Sequence, residues 1–380
     1  DQETVENNKK TMNKGSIILM DQKKEMIKQM EQSTIVGLPF TQVAELIGGK
    51  IVRNMVALGA SAAIIGLDEN LFDSIIEDKF HKKGETVINR NKEAVRAGYE
   101  KAKAYVDDQT ITSFSLEKPE RETKRNLMIG NEAVGFGALA GGCRFLSAYP
   151  ITPASEVMEW LKKELPKVGG TVVQAEDEIA GITMAIGAAY SGVRAMTSTS
   201  GPGLSLKTES LGLAGISETP LVIMNAQRGG PGTGLPTKYE QADLNTMIHA
   251  GHGEIPRIVL APSTVEEAFY MTAQAFNYAE KYQCPVIIAM DLYLSLFKQT
   301  VNRFDFSKVT IDRGKLLSDQ EAAKKDDRFF LRYELTEDGI SNRTIPGQKG
   351  GIHTANSNEH GITGHITEDP EIRTKMMNKR

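Results

Sequence analysis

Tyr149-Pro150-Ile151-Thr152-Pro153 combines a hydroxyl side chain with a stiffened backbone, which suits ligand binding. Its two prolines fix the chain on either side of Thr152. At the start of a helix, the Thr152 hydroxyl and nearby N–H groups could meet an anion. A stiff turn with Thr152 as helix cap explains the same residues, and the motif alone favours that turn.

Glu176-Asp177-Glu178 places acidic side chains before a helix made mostly of small and apolar residues, which runs to Tyr190. A carboxyl beside such a helix loses water, which raises its pKa and suits proton transfer. Acids that merely complement a helix dipole also explain the pattern. Taken alone, the stretch favours the dipole interpretation.

Thr197-Ser198-Thr199-Ser200-Gly201-Pro202-Gly203-Leu204-Ser205 follows a predicted strand and opens a predicted helix. Its glycines allow the backbone to approach a ligand closely. A Gly-Pro-Gly turn also occurs in ordinary loops, so this stretch by itself is a weak indication of a site.

Alternating strands and helices position these stretches between residues 126 and 300. Short apolar runs predict strands buried on both faces, at 171–174, 193–197, 221–226, 257–260 and 286–290. Helical patterns lie between them, at 154–165, 178–191 and 264–282. This alternation predicts a mostly parallel sheet with helices on both sides. The three stretches fall at strand-to-helix junctions, where such sheets bind ligands.

The regions on either side of residues 126–300 do not show this alternation of strands and helices. Residues 34–106 carry helical spacing, with Asp68 as N-cap for a helix from Leu71 to Phe80. Residues 107–125 lack periodicity and predict a linker. Residues 301–380 are polar and rich in glycine, which predicts a long ordered arm. The abrupt ends of the chain indicate a fragment of a longer protein.

Composition excludes several classes of partner. The net charge of −4 gives no nucleic-acid or anionic-membrane signal, and no apolar run approaches the roughly 20 residues of a membrane span. Cys143 and Cys284 form no C-x-x-C pair, which predicts a reduced, cytoplasmic protein. Two cysteines are too few for an iron–sulfur cluster, so any cluster is expected on another chain. The histidines show no metal-ligand spacing, so no metal site is predicted on this chain.

The combination of motifs is more specific than its parts. The acid and small residues of 178–190, followed by Thr197–Gly203, resemble the pyrimidine-binding domain of thiamine-diphosphate enzymes. With Tyr149–Pro153 upstream and Gln227–Lys238 downstream, the set resembles the α subunit of 2-oxoacid:ferredoxin oxidoreductases, particularly the 2-oxoglutarate type. The implied fold class is α/β, a parallel-sheet pyrimidine-binding domain preceded by a helical remnant of a γ domain.

The resemblance also implies a domain organisation. Residues 1–106 correspond to the C-terminal part of a γ-like domain, and 107–125 to a linker. Residues 126–300 correspond to the pyrimidine-binding, transketolase-like α/β domain. Residues 301–380 correspond to an extended arm leading to a C-terminal domain that this chain lacks.

Roles for individual residues follow from the same resemblance. Glu178 corresponds to the catalytic acid that hydrogen-bonds the pyrimidine, because only Glu178 has the family's offset to Ala180-Gly181. The cofactor turn corresponds to Ser200, Gly201, Pro202 and Gly203. Donors to the substrate carboxylate correspond to Tyr149, Thr152, Lys238 and Arg343, although for Lys238 and Arg343 an exposed surface charge is the alternative.

The implied reaction is oxidative decarboxylation of a 2-oxoacid with coenzyme A to acyl-CoA, CO2 and reduced ferredoxin. Glu337-Asp338-Gly339 is the stretch most similar to a diphosphate–Mg2+ motif, but it lacks the first glycine of that motif. The diphosphate, the Mg2+ and the iron–sulfur cluster are therefore expected on a β subunit. The identity of the 2-oxoacid stays open. The alternatives are another thiamine-diphosphate enzyme, such as an indolepyruvate oxidoreductase, and a non-catalytic scaffold subunit.

Overall fold

A computed structural model describes residues 2–22, 33–108, 114, 116, 124–325 and 328–380. The chain divides into two compact units, Asp1–Glu122 and Thr123–Arg380. Most of the predicted linker, residues 107–125, lies outside the described residues.

The first unit combines a parallel strand pair with helices. Its elements are α1 (Gln2–Asn8), β1 (Ser16–Asp21), β2 (Ser33–Leu38), α2 (Phe40–Ile47), α3 (Arg53–Ile64), α4 (Asp73–Phe80) and α5 (Glu85–Asp107). Strands β1 and β2 pair from Ser16↔Ser33 to Asp21↔Leu38. The helical interpretation of residues 34–106 is therefore wrong at its start. A strand forms there because β1 supplies hydrogen-bond partners that a local pattern cannot reveal.

Helices α3 and α5 cross with their backbones in contact. A Cβ added at Gly59 would lie 1.8 Å from the Val95 carbonyl oxygen, and one at Gly98 would lie 1.9 Å from that of Val56. Only glycine permits so close an approach. Asp68 caps the turn ahead of α4, because its Oδ1 accepts a hydrogen bond from the Asn70 N–H at 2.9 Å. Asp68 is therefore a cap as predicted, but of a short 3-10 turn, Glu69–Phe72, and the α-helix begins at Asp73 rather than at Leu71.

The second unit is built on a parallel sheet. Its strands are β3 (Asn126–Met128), β4 (Phe145–Ala148), β5 (Thr171–Gln174), β6 (Ala195–Thr199), β7 (Leu221–Gln227), β8 (Ile258–Leu260), β9 (Pro285–Asp291) and β10 (Gln299–Val301). Its helices are α6 (Gly130–Ala140), α7 (Ser155–Glu164), α8 (Glu178–Tyr190), α9 (Gly201–Leu206), α10 (Thr208–Ile216), α11 (Leu244–His249), α12 (Val265–Tyr282), α13 (Leu292–Leu296), α14 (Asp319–Ala323) and α15 (Pro370–Lys379).

The sheet runs β5-β4-β6-β7-β9-β8 in the described part of the chain, and all its pairings are parallel. Strands β3 and β10 form a separate antiparallel pair. The predicted doubly wound α/β fold is confirmed. The chain moves outward from β4 to β5 and returns to β6 on the other side of β4. This reversal creates a switch point, where ligands bind in such folds.

Two hydrophobic clusters cover the two faces of the sheet. Val222 and Met224 of β7 face the cluster that includes helices α6, α7 and α12. Leu221 and Ile223 face the cluster formed with α8, α10 and α11. Every residue of β7 is buried, as expected for a strand covered on both faces.

The segment 301–380 is mostly irregular and belongs to the second unit. Tyr333 and His360 are fully buried. The His360 Nε2 lies 3.0 Å from the Ile216 carbonyl oxygen, and the Arg332 Nη2 donates to the Glu218 carbonyl oxygen at 2.7 Å. Polar contacts with the end of α10 therefore fix this segment in place.

Candidate active site

Four motif segments leave the carboxyl ends of adjacent strands. The segment from Tyr149 follows β4, the acids follow β5, the glycine turn follows β6, and Arg228 follows β7. Because parallel strands end at one edge of the sheet, the fold brings together stretches that are far apart in sequence. Three of these segments flank the switch point around β4.

Among the three neighbouring acids, the structure buries Glu178. Its side chain is at the first position of α8, and the residue is 6% exposed. Glu176 and Asp177 are exposed, and the Asp177 Oδ1 caps α8 by accepting from the Ala180 N–H at 2.7 Å. Within the described chain no donor hydrogen-bonds the Glu178 carboxylate, so its oxygens are available to a ligand.

The glycine turn packs against this carboxyl group. A Cβ added at Gly203 would lie 2.7 Å from the Glu178 Oε1 and 2.2 Å from the Thr199 Oγ1. Ser200 is fully buried, and its Oγ has no partner among the described residues. A buried carboxylate and a buried hydroxyl thus converge with unused hydrogen-bonding capacity, which fits a polar heterocycle such as an aminopyrimidine.

Lys207 is a residue of this site that the sequence interpretation missed. It is fully buried, and its Nζ donates to the Glu178 carbonyl oxygen at 2.9 Å and to the Thr197 Oγ1 at 3.1 Å. Burial lowers the pKa of Lys207 to about 8, while the negative charges of Glu178 and Asp177 oppose that change. Its one signal in the sequence is a lysine directly after the apolar run of α9.

Tyr149 and Thr152 lie on the loop after β4, and both side chains are exposed. Thr152 does not cap a helix, because α7 begins at Ser155 with Ala154 at its N-cap position. The Thr152 carbonyl oxygen instead accepts a hydrogen bond of 2.6 Å from the Arg228 Nη1. The Thr152 hydroxyl is therefore presented to solvent by a loop whose backbone is held by a buried arginine.

Lys238 lies on the loop that follows β7, and its side chain is exposed. The loop folds on itself, because the Leu235 N–H donates to the Gly229 carbonyl oxygen at 2.8 Å. Gly234 is a required glycine, since its φ is +59° and a Cβ would lie 1.8 Å from the same oxygen. Lys238 thus projects from an ordered loop, as a substrate-binding cation needs to do.

Asp243 ties the far end of this loop to the glycine turn. Its carboxylate accepts a hydrogen bond from the Asn225 Nδ2 at 3.0 Å and another from the Gly201 N–H. Burial raises the pKa of Asp243, and the Asn225 hydrogen bond opposes that change. The protein's own carboxylate therefore occupies part of the α9 N-terminus, and it links the loop of Lys238 to the predicted cofactor turn.

The structure places Arg343 away from Glu178, the glycine turn and Lys238. The prediction that Arg343 binds the substrate is therefore wrong. Arg343 is 3% exposed, and its Nη2 donates to the Glu280 Oε1 at 2.7 Å. Glu280 also accepts from Arg194, which immediately precedes β6. This cluster lies at the amino ends of the strands, opposite the motif edge. Arg343 is needed there because a buried carboxylate requires cationic partners.

Both cysteines are buried and free. Burial raises the pKa of the Cys143 and Cys284 thiols to about 12, so neither is a reactive thiolate at neutral pH. Across the described residues, no group of three or more His, Cys, Asp or Glu side chains is placed to hold a metal ion. No helix in that part of the chain is long and apolar enough to cross a membrane.

A doubly wound sheet with a buried acid over a glycine turn defines the class of thiamine-diphosphate pyrimidine-binding domains. Residues 136–379 match the family model described as pyruvate flavodoxin/ferredoxin oxidoreductase, thiamine-diphosphate binding. Residues 1–101 match the model described as pyruvate ferredoxin/flavodoxin oxidoreductase. The chain belongs to the pyruvate flavodoxin/ferredoxin oxidoreductase family.

Two curated relatives are similar to this chain over most of its length. The α subunit of 2-oxoacid:ferredoxin oxidoreductase 1 from Sulfurisphaera tokodaii is 41% identical over 343 residues, which cover 87% of this chain and 52% of that protein. The 2-oxoglutarate synthase subunit KorA from Methanocaldococcus jannaschii is 39% identical over 256 residues, 67% of each chain. This chain spans about half the length of the first of these curated relatives.

A solved structure is similar over nearly the whole chain. It is a 2-oxoglutarate:ferredoxin oxidoreductase from Magnetococcus marinus with 2-oxoglutarate, coenzyme A and succinyl-CoA bound. The TM-score is 0.88 at 41% sequence identity, covering 99% of this chain and 65% of that one. The resemblance deduced from the motifs is confirmed.

Proposed function

We propose that this chain is part of the α subunit of a 2-oxoacid:ferredoxin oxidoreductase. The complete enzyme would convert a 2-oxoacid and coenzyme A to acyl-CoA and CO2, with the released electrons passing to ferredoxin. The buried Glu178 carboxyl, which contacts the glycine turn at the switch point, is the observation that carries this proposal. A non-catalytic scaffold would have no need for an unpaired acid in this position.

Glu178 would hold the cofactor. Thiamine diphosphate, when bound, supplies the carbanion chemistry that decarboxylation of a 2-oxoacid requires. The Glu178 carboxyl would hydrogen-bond the pyrimidine ring nitrogen, and Ser200, Gly201, Pro202 and Gly203 would lie against the ring. The unused Ser200 Oγ supports this placement. The absence of a Cβ at Gly203 gives a flat ring access to the acid.

Tyr149, Thr152 and Lys238 would bind the substrate carboxylate. Each side chain is exposed and lies on a loop at the carboxyl edge of the sheet. Arg228 holds the Thr152 peptide and begins the loop that carries Lys238, so the two loops are coupled. A lysine gives a less directional grip on a carboxylate than an arginine fork does. We propose 2-oxoglutarate as the substrate because both KorA and the solved relative are named for it.

A β subunit would complete the site with the diphosphate-bound Mg2+ and the iron–sulfur cluster. Three aromatic residues support a partner surface at this edge: Tyr239, Tyr293 and Phe297 are each about half or more exposed. The Tyr293 and Phe297 rings stack at 4.8 Å between centroids. Exposed apolar clusters of this kind mark protein interfaces. Free thiols at Cys143 and Cys284 fit a reducing, cytoplasmic location.

We propose the same domain organisation that the motifs predict. Residues 1–106 would be the C-terminal part of a γ-like domain, 107–125 a linker, and 126–300 the pyrimidine-binding domain. Residues 301–380 would be an arm toward a C-terminal domain. The two compact units, with their division at Glu122, support this organisation.

The test is reconstitution of the complete enzyme, followed by assay of coenzyme A-dependent dye reduction. The assay compares 2-oxoglutarate, pyruvate, branched-chain 2-oxoacids and indolepyruvate at equal concentration. We expect the largest kcat/KM for 2-oxoglutarate. Preference for indolepyruvate would assign the chain to the rival enzyme, and no reduction with any 2-oxoacid would indicate a scaffold subunit.

A further inference from the structure

Lys207 occupies an unusual place for a lysine. It lies at the junction of α9 and α10, and none of its surface is exposed to solvent. Burial of an ammonium group is costly unless it is paired or hydrogen-bonded. A long apolar side chain at this position would fill the same volume without that cost. A buried lysine at this position therefore calls for a role in the site that surrounds it.

The contacts of Lys207 join the two elements that form the candidate cofactor site. Its Nζ donates to the Glu178 carbonyl oxygen in the first turn of α8 and to the Thr197 Oγ1 in β6. A Cβ added at Gly181 would lie 3.4 Å from the Nζ, so α8 closely approaches the ammonium. The charged groups that face it, Glu178 and Asp177, both come from the start of α8.

We propose that Lys207 is a positioning residue for the Glu178 carboxyl, whose orientation it fixes and whose negative charge it balances. This inference rests on the proposed role of Glu178 at the pyrimidine. The Lys207 ammonium links the Glu178 carbonyl oxygen to the Thr197 hydroxyl of β6, which fixes the peptide from which the Glu178 side chain extends. The positive charge of Lys207 and the negative charge of Glu178 attract one another, so removing the lysine charge should change the pH dependence of the enzyme.

The charge can be separated from the hydrogen bonds by substitution in the complete enzyme. Lys207→Met removes the charge and the donor, Lys207→Gln removes the charge but keeps a donor, and Lys207→Arg keeps both. We expect Met and Gln to move the acidic limb of the kcat/KM profile upward by about one pH unit. Lys207→Arg should restore the limb toward the wild-type position.

A readout without turnover is the proton uptake that accompanies thiamine-diphosphate binding, measured by calorimetry in buffers of different ionisation enthalpy. Met and Gln should move this uptake to higher pH by the same amount. The wild-type and Met profiles should converge above about pH 8, since wild-type Lys207 itself loses its charge there. Lys379→Met is the matched control, because Lys379 is also buried but pairs with Glu218; its profiles should keep the wild-type midpoints.

Unchanged midpoints in both Lys207→Met and Lys207→Gln, with only a lower kcat, would overturn the proposal and leave Lys207 a structural residue. If the Met variant fails to fold, the Gln variant decides. Failure of the proposed function would show in a separate experiment. A Glu178→Gln enzyme with near-full activity would rule out the cofactor role of Glu178, whereas the pH profiles of the Lys207 variants could still be measured.

Discussion

At the scale of single residues, Glu178 has the geometry of an acid held ready for a ligand. It is buried, lacks a protein donor among the described residues and contacts the glycine turn at Gly203, which has no side chain beside the carboxyl group. Glu176, two positions earlier, has the same chemistry but is exposed. The contrast between these two acids allows a controlled test of the catalytic assignment.

We expect Glu178→Gln to lower kcat by about 10²–10⁴-fold, because glutamine keeps the shape but cannot exchange a proton. Glu176→Gln should retain wild-type turnover. Steady-state dye reduction by the complete enzyme measures both variants, and circular dichroism checks their folding. Near-full activity of the Glu178 variant would show that another group is the cofactor acid.

Thr152 and Lys238 should act on the substrate more than on the cofactor. Removing a hydrogen bond to a charged group costs about 1.5–3 kcal/mol, so Thr152→Val and Lys238→Ala should each raise KM for the 2-oxoacid on the order of 10- to 100-fold. The thiamine-diphosphate Kd should change little. Lys163→Ala, an exposed lysine on α7, is the control. A change confined to the cofactor Kd would count against a substrate role.

Lys207 should make stability depend on pH in an alkaline window. Its folded-state pKa of about 8 lies below the ordinary value of 10.5, so the unfolded chain holds more protons between these values. Wild-type stability should therefore rise with pH relative to Lys207→Met from about pH 8 to 10.5, by roughly 3 kcal/mol in total, and stay level below pH 8. Urea unfolding at several pH values measures this difference, and parallel curves would contradict it.

At the scale of elements, the glycine turn and helix α8 must approach closely for the site to exist. Gly203 has no room for a side chain, because a Cβ would collide with both Thr199 and Glu178. Gly187 lies on the same helix as Glu178, yet a Cβ there meets nothing within 4 Å. The two glycines therefore differ in role although both belong to the recognised motif.

Gly203→Ala should displace the Glu178 carboxyl and destabilise the protein by about 1–3 kcal/mol. Cofactor affinity and turnover should fall with it. Gly187→Ala should be neutral or stabilising by up to about 1 kcal/mol, since alanine favours a helix. Thermal unfolding and cofactor titration of the two variants test the pair. Equal effects would mean that the turn does not constrain Glu178.

At the scale of the whole molecule, the proposed cofactor residues share one edge of the sheet with an exposed pair of aromatic residues. Glu178 and the glycine turn lie at the carboxyl edge of the sheet, and so do Tyr293 and Phe297 after β9. In the proposed enzyme a partner holds the diphosphate, and loss of those contacts would remove the strongest part of cofactor binding. The edge should be an interface in the working enzyme.

We therefore expect that the isolated chain neither binds thiamine diphosphate tightly nor turns over a 2-oxoacid. Calorimetric titration with the cofactor and Mg2+ measures the first property, and dye reduction without a partner measures the second. Addition of the β subunit should restore both. Micromolar binding by the chain alone would show that the second half of the site lies within these residues.

The sequence alone determined the fold class and the positions of the motifs. Apolar runs bounded by turn residues predicted strands such as Leu221–Ala226, observed as Leu221–Gln227, because burial on both faces leaves a local record of composition. Glu178 could be chosen over its neighbours only through the resemblance, since composition alone treats three adjacent acids alike. The resemblance to the family was carried by these motifs and is confirmed.

Only the tertiary structure decided which polar residues meet. The sequence analysis did not single out Lys207 or Asp243, yet Lys207 hydrogen-bonds the Glu178 carbonyl oxygen and Asp243 accepts a hydrogen bond from the Gly201 N–H. Arg343 looked like a substrate ligand, yet it is buried against Glu280 at the opposite end of the strands. Strands β1 and β2 likewise became evident only through their pairing. The physical reason is common to all: burial and hydrogen bonding depend on neighbours brought together by folding, which no local pattern encodes.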